Sequence, residues 1–270
     1  MHTCRKRKHG TIVLLVSITA VFGTCLLKSA YFWSQCGTTE KASPRVAILS
    51  YSDLRKDRTG LTQHDNTTLY NMVRCNHKSY ALRHGYDYIS PAYGSTNWFA
   101  SKFILNGLRY KTFAVLTYFD RYDVIVWIDH DAIFHNMQLG VDFWLDTMHP
   151  DADILMAEDL PGYKFNAGLQ IIKTTNWTKT FYTRAIDALL ATDVKAGYIE
   201  QPIFYELHDT LQGGHTKIQI HKPRNTFQAF LKVKSDFLDT SWVLHATQCR
   251  CDLSQYISPS CHIHNGFERA

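Results

Sequence analysis

Two carboxylates one residue apart, Asp129 and Asp131, follow the apolar run Val124-Ile125-Val126-Trp127-Ile128. Side chains alternate along an extended chain, so both acids leave a strand end on the same side while His130 points the other way. One ion can therefore touch both. Paired carboxylate oxygens favour a hard divalent cation such as Mn2+ or Mg2+. The competing reading is a turn or a helix N-cap, for which two acids after a strand also serve. Burial of the preceding run favours the cation, because it fixes both carboxylates at the strand mouth.

The run itself, preceded by Asp120-Arg121-Tyr122-Asp123, has the pattern of a central strand covered on both faces. Ligands of open α/β sheets bind beyond the carboxyl ends of such strands. Upstream, Arg45-Val46-Ala47-Ile48-Leu49-Ser50-Tyr51 reads as a first strand. A helix follows from Asp65, carried by Leu69, Met72, Val73, Asn76 and Tyr80 and ended by Gly85 as a C-cap. Tyr86 to Ile89 is the next strand. Helical faces recur over 98–108 and 112–119. Downstream the expectations are a loop after Phe134, a short helix around Phe143-Trp144-Leu145, a strand over 153–157 and a strand over 165–172. Gly168 in the last of these would let a ligand or another backbone approach closely. A helix opens at Asn176. The alternation predicts an α/β fold with no internal repeat.

Size and charge narrow the functional classes. The 270 residues, 45% of them hydrophobic, suffice for one large core. The net charge of +5 is concentrated in Arg5-Lys6-Arg7-Lys8, so the remainder is close to neutral. No basic surface of the kind that phosphate-backbone binding needs is evident, which argues against nucleic acid. The four cations precede an uncharged run from Thr11 to Leu27, with Tyr31, Phe32 and Trp33 beyond it. That arrangement reads as an uncleaved signal anchor of type II topology; a cleaved signal peptide is the alternative. The expected organisation is a cytosolic tail over 1–10, a transmembrane segment over 11–33, a short stem over 34–44 and a lumenal domain over 45–270. Asn66-Thr67-Thr68 and Asn176-Trp177-Thr178 match the N-glycosylation pattern. Asn176 is expected to be masked by folding. Cys36, Cys75, Cys249, Cys251 and Cys261 would lie in an oxidising lumen, where some should pair; Cys36 is the candidate for a bridge between two chains. A zinc cluster of Cys249, Cys251, Cys261 and His262 is disfavoured by the Cys-x-Cys spacing.

The order of three segments adds a resemblance. Asn76-His77-Lys78-Ser79-Tyr80-Ala81-Leu82-Arg83-His84-Gly85-Tyr86, then Trp127-Ile128-Asp129-His130-Asp131-Ala132, then Asn166-Ala167-Gly168 with Asn176-Trp177-Thr178 resembles glycosyltransferase family 34. That family includes Golgi α-galactosyl-, α-mannosyl- and xylosyltransferases. The resemblance covers 45–251 and implies a GT-A fold built on one mixed sheet flanked by helices, with retention of anomeric configuration. It implies a nucleotide-diphosphate sugar donor, with UDP-galactose-like donors preferred, a glycan acceptor and residence in the Golgi membrane. Asp129 and Asp131 match the family's Asp-x-Asp, which holds Mn2+ against the donor diphosphate. His245 looks like the third metal ligand, in a segment where Gln248 replaces the family's glycine; otherwise His245 would be read as a buried strand histidine bonded to a carbonyl. Arg250 takes the place of a basic residue at the diphosphate. Glu200-Gln201 resembles the family's Asp-Gln pair beside the anomeric carbon, although an acid before Pro202 equally suits a helix start. Asn166, Ala167 and Gly168 would line the donor-sugar pocket, Ser50 and Tyr51 would hold the base, and Lys102 would reach a phosphate.

Two rivals remain at this stage. Haloacid dehalogenase phosphatases also open on a strand ending in Asp-x-Asp, but the pair here lies mid-chain and Ile133 occupies the place where Thr or Val follows the second acid. The other rival is a glycan-binding or scaffold protein that keeps the fold without turnover.

Overall fold

The computed structural model describes residues 43–51, 63–90, 107–191, 200–246 and 253–263. The expected tail, membrane span and all but the last two residues of the stem lie outside them, as do Cys36, Lys102, Gln248, Cys249, Arg250 and Cys251, together with the side chains of Asn66 and His262. Among the described residues no helix is long and apolar enough to cross a membrane.

Along the chain the elements are β1 (Val46–Leu49), α1 (Gln63–His84), β2 (Asp87–Ile89), α2 (Gly107–Tyr118), β3 (Val124–Ile128) and β4 (Ala132–Phe134). They continue as α3 (Val141–Thr147), β5 (Ile154–Ala157), β6 (Asn166–Lys173), α4 (Asn176–Ala191), α5 (Glu200–Thr210) and α6 (Gly214–Lys217). The last are β7 (Ile218–His221), α7 (Arg224–Phe227), β8 (Gln228–Phe230), β9 (Val243–His245) and α8 (Pro259–Ile263).

Six strands form a mixed sheet in the order β2-β1-β3-β6-β5-β7. All pairings are parallel except the two made by β6, which runs against β3 and β5. Every residue of β1, β3 and β5 is buried, and the strand period sorts these side chains into two cores. Val124, Val126 and Ile128 pack with Tyr80 of α1, Trp144 of α3, Phe134 and Trp242. Ile125 and Trp127 pack on the opposite face with Ala114 and Val115 of α2, Phe181 and Tyr182 of α4, and Phe204 of α5. Asp129 continues this second row, so the face carrying α2 and α5 is the one that can reach it.

The expectation of one sheet is corrected. A second sheet, of order β4-β9-β8, stands beside the first; β4 was not foreseen, and the loop expected after Phe134 follows it, leading into α3. Its strands have three residues each, too few for a period of two to show in the sequence. This small sheet carries His245, with Ala132 of β4 in register with it.

The Asn76-His77 pair of α1 covers the open edge of β4. Asn76 exchanges two bonds with the Phe134 backbone, donating to its carbonyl and accepting from its N–H, each at 2.9 Å. His77 Nε2 lies 2.8 Å from the Ala132 carbonyl. An edge strand otherwise leaves such groups without partners. Residues Met72 and Val73 of α1 join Ile133, Leu244 and Leu253 in a third core, and a Cys75–Cys261 disulfide ties α1 to α8. At its other end α1 closes as expected: Gly85 has φ +71°, and Tyr86 N–H reaches the Ala81 carbonyl at 2.9 Å.

Candidate active site

β3 ends at Ile128, and the chain turns through Asp129, His130 and Asp131 into β4. The turn is pinned on both sides, by Asp129 N–H on the Gly168 carbonyl and by Ala246 N–H on the Asp131 carbonyl, each at 2.8 Å. His245, at the end of β9, then faces the acids. One ligand-type atom each from Asp129, Asp131 and His245 lies within 4.8 Å of the other two. His130 is exposed and is not one of the three.

The electrostatics of this trio are strongly polarised. His245 is 3% exposed, and its Nε2 lies 3.1 Å from Asp131 Oδ1. Burial would lower the imidazole's affinity for a proton, but Asp131 beside it raises it above the ordinary histidine value. Burial likewise pushes the Asp131 carboxyl up, and the facing imidazole outweighs it, holding the group well below the usual carboxylate range. The histidine is thus not satisfied by a carbonyl; it faces a carboxylate. Two carboxylate oxygens and one imidazole nitrogen form a donor set that suits a divalent cation of the Mn2+ type.

Gly168 is glycine because of this site. A Cβ there would fall 2.3 Å from His245 Cε1 and 2.8 Å from Asn166 Oδ1. The close approach expected at Gly168 is therefore made by two side chains of the site, not by a second backbone. Asn166 is buried and its Oδ1 accepts from Gly168 N–H at 2.8 Å.

A cation that sequence reasoning missed stands behind Asp129. Lys111 of α2, 2% exposed, places Nζ 3.2 Å from Asp129 Oδ1 and 3.2 Å from Glu200 Oε1. It donates to the Ala167 carbonyl at 2.8 Å. Burial opposes its charge, but the two carboxylates raise its proton affinity above the ordinary lysine value. Trp127 Nε1 donates to the same Asp129 oxygen at 2.6 Å. Protein donors hold one side of Asp129, so its other oxygen is the one available to an ion. The signal for Lys111 was present in the sequence as a single lysine in the apolar stripe Tyr110 to Leu116 of an otherwise buried helix face.

Glu200 is both things the sequence offered: it opens α5, and it is buried against Lys111. Its Oε2 is buried with no partner among the described residues. Gln201 accepts from Ala167 N–H at 3.0 Å and donates to Asp159 Oδ2 at 3.0 Å. Asn166 Nδ2 reaches the same Asp159 oxygen at 3.4 Å, which makes Asp159 a second residue absent from the sequence reading. The structure thus brings together Asp129, Asp131, His245, Asn166, Ala167, Gly168, Glu200 and Gln201. Ser50 and Tyr51 directly follow β1, which runs parallel to β3. The Tyr51 ring stacks on Tyr110 at 3.9 Å between centroids.

Asn176 is a correction. It opens α4 at the far end of β6 from Asn166 and is exposed, so it is not masked by a pocket at the acids. Thr178 of the same triplet is buried and donates to the Lys173 carbonyl at 2.7 Å. A second group of ligand-type side chains, His208, Asp209 and His215, lies at the opposite end of α5 from Glu200. There Asp209 is already engaged by Lys164 and by His208 Nδ1.

With this geometry in view, the fold can be placed: a mixed sheet flanked by helices, with acids at the carboxyl end of its central strand, is the GT-A glycosyltransferase fold. The chain is similar to the crystal structure of a glycosyltransferase involved in glycosylation of the major capsid of PBCV-1, with TM-score 0.58 and 14% identity over 79% of this chain and 97% of that one. It is also similar to the glycosyltransferase GlyE of Streptococcus pneumoniae TIGR4, with TM-score 0.48 and 16% identity over 83% of this chain and 57% of that one. Mouse xyloside xylosyltransferase 1 gives TM-score 0.41 and 10% identity over 76% and 97%. The fold assignment rests on the first of these. No protein-family model and no curated protein matches the chain.

Proposed function

We propose that the chain is a metal-dependent, retaining glycosyltransferase that moves a hexose or pentose from a nucleotide-diphosphate sugar to a glycan acceptor, within the range of family 34. A UDP-galactose-like donor is the preferred case. The observation that carries this reading is the convergence of Asp129, Asp131 and His245, contributed by two different sheets, at the carboxyl end of β3. The three residues would hold Mn2+, with Mg2+ as the substitute. Bound there, a divalent cation would supply Lewis-acid stabilisation of the nucleoside diphosphate leaving group.

The remaining chemistry falls to the chain's own groups. Lys111 fixes Asp129 and Glu200 in one arrangement, so two carboxylates sit beside a cation instead of repelling each other across a low-dielectric site. The unpartnered Glu200 Oε2 is suited to accept from a hydroxyl of the transferring sugar and to face the positive charge that develops at its anomeric carbon. Asn166 and Gln201, both bonded to Asp159, would line the sugar pocket beside it. Ser50 and Tyr51, beyond the neighbouring strand end, would hold the nucleotide base. An aspartyl-phosphate phosphatase is disfavoured by the mid-chain place of the acid pair and by Ile133 where Thr or Val would follow the second acid.

The Golgi setting, the type II anchor and a Cys36-linked dimer complete the proposal. The Cys75–Cys261 disulfide supports an oxidising compartment. Hydrolysis of a panel of nucleotide sugars, with and without Mn2+, tests the reading. Turnover of at least one donor that disappears on chelation is the expected result; hydrolysis indifferent to a chelator would contradict it.

A further inference from the structure

Behind His245, on the side away from Asp131, stands Gln228, the first residue of β8. It is fully buried. Its Nε2 lies 2.6 Å from His245 Nδ1 and 3.2 Å from Asn166 Oδ1. Its Oε1 is buried with no partner among the described residues. A buried amide donating both hydrogens while its carbonyl goes unused is an unbalanced arrangement, since each unmet buried polar atom costs free energy. The imbalance has a direction. An N–H donated into Nδ1 requires that nitrogen to be the bare one, so the ring carries its hydrogen on Nε2 and donates it to Asp131.

We propose that Gln228 is a positioning residue of the cation seat, whose amide selects the nitrogen that His245 presents to Asp131 and links that choice to Asn166 in the sugar pocket. The inference rests on the cation-binding reading above. A histidine that ligates through Nε2 must lose the hydrogen there and carry one on Nδ1; one proton leaves the ring, one joins it, and the charge is unchanged. Nδ1–H then needs an acceptor, and the Gln228 amide already at that nitrogen carries one, Oε1, that has no partner among the described residues. Turning the amide to supply it also withdraws a donor from Asn166 Oδ1. Seating the cation and rearranging the sugar pocket are thereby one event. Outer partners of metal-bound histidines commonly fix tautomer and ring orientation in this way, and their loss costs about 10–100-fold in metal affinity.

The test uses the full chain, Mn2+ alone as probe, and two variants. Gln228→Leu removes donor and acceptor; Gln228→Glu supplies a permanent acceptor to Nδ1–H. Paramagnetic resonance of free Mn2+ gives the affinity, and nitrogen-15 spectra of labelled histidine give the tautomer. The expected results are an Nε2–H ring in the wild type without metal, an Nδ1–H ring in Gln228→Glu, and an affinity about 10–100-fold weaker in Gln228→Leu with Gln228→Glu close to the wild type. Gln228→Leu binding as tightly as the wild type would overturn the inference and leave the cation seat standing. A wild type that binds no Mn2+ would remove the seat and the inference together. Should Gln228→Leu fail to fold, an Nδ1–H ring in the metal-free wild type, or no tautomer change in Gln228→Glu, would overturn it.

Discussion

Lys111 shows how the site is held at the level of single residues. A lysine this buried keeps its charge only because Asp129 and Glu200 both sit 3.2 Å away. Removing one partner of a buried pair leaves the other charge uncompensated, which costs about 3–5 kcal/mol. Lys111→Met should therefore lower the unfolding free energy by that order, measured in urea. Adding Glu200→Gln to it should restore part of the loss, because the stranded carboxylate is then neutral. A double variant no more stable than Lys111→Met would show that the pair is not the reason for the loss. The acids themselves were legible as Asp-x-Asp after an apolar run. Lys111 was overlooked although it stands alone in an apolar stripe, and Asp159 and Gln228 were not read because no spacing marks them.

Among the elements, α1 carries more responsibility than its surface length implies, since Asn76 and His77 hold β4 and thereby the turn bearing both acids. Burial lowers the His77 imidazole from 6.5 to about 4, so it stays neutral in the fold. The stability this neutral ring contributes is complete above pH 6.5, falls as acid is added, and is gone below about pH 4. Linkage puts the loss at about 3 kcal/mol over that window. His77→Gln keeps a donor for the Ala132 carbonyl and cannot titrate, so its unfolding free energy should fall about 3 kcal/mol less between pH 6.5 and 4. Equal acid sensitivity in the two proteins would contradict this. Elements with a long apolar period, such as α1, β3, β6 and α4, were readable before the structure. The short strands β4, β7, β8 and β9 were not, because their existence depends on partners far along the chain. The GT-A architecture was expected from ordered motifs, whereas the second sheet, on which His245 depends, required the tertiary pairing of β4 with β9.

At the scale of the whole molecule, the third core is closed by the disulfide between Cys75 and Cys261, 186 positions apart. Such a cross-link restricts the unfolded chain and stabilises by about 2–4 kcal/mol. Cys261→Ser should lose that amount in denaturant unfolding without reductant, and reducing the wild type should reproduce it; identical midpoints for the three preparations would contradict the assignment. The same core takes in Leu244 and Ala246, the two chain neighbours of His245. The central claim is that the two sheets meet to hold an ion against a diphosphate, and calorimetry of UDP binding tests it most directly. Without the ion, Asp129 and Asp131 would repel the diphosphate. The wild type should bind UDP with Mn2+ and show no binding in a chelator, whereas Asp131→Asn, which keeps the shape and loses the charge, should fall by more than the about 100-fold that marks loss of an outer partner. UDP binding of equal strength with and without Mn2+, or undiminished binding by Asp131→Asn, would contradict the account.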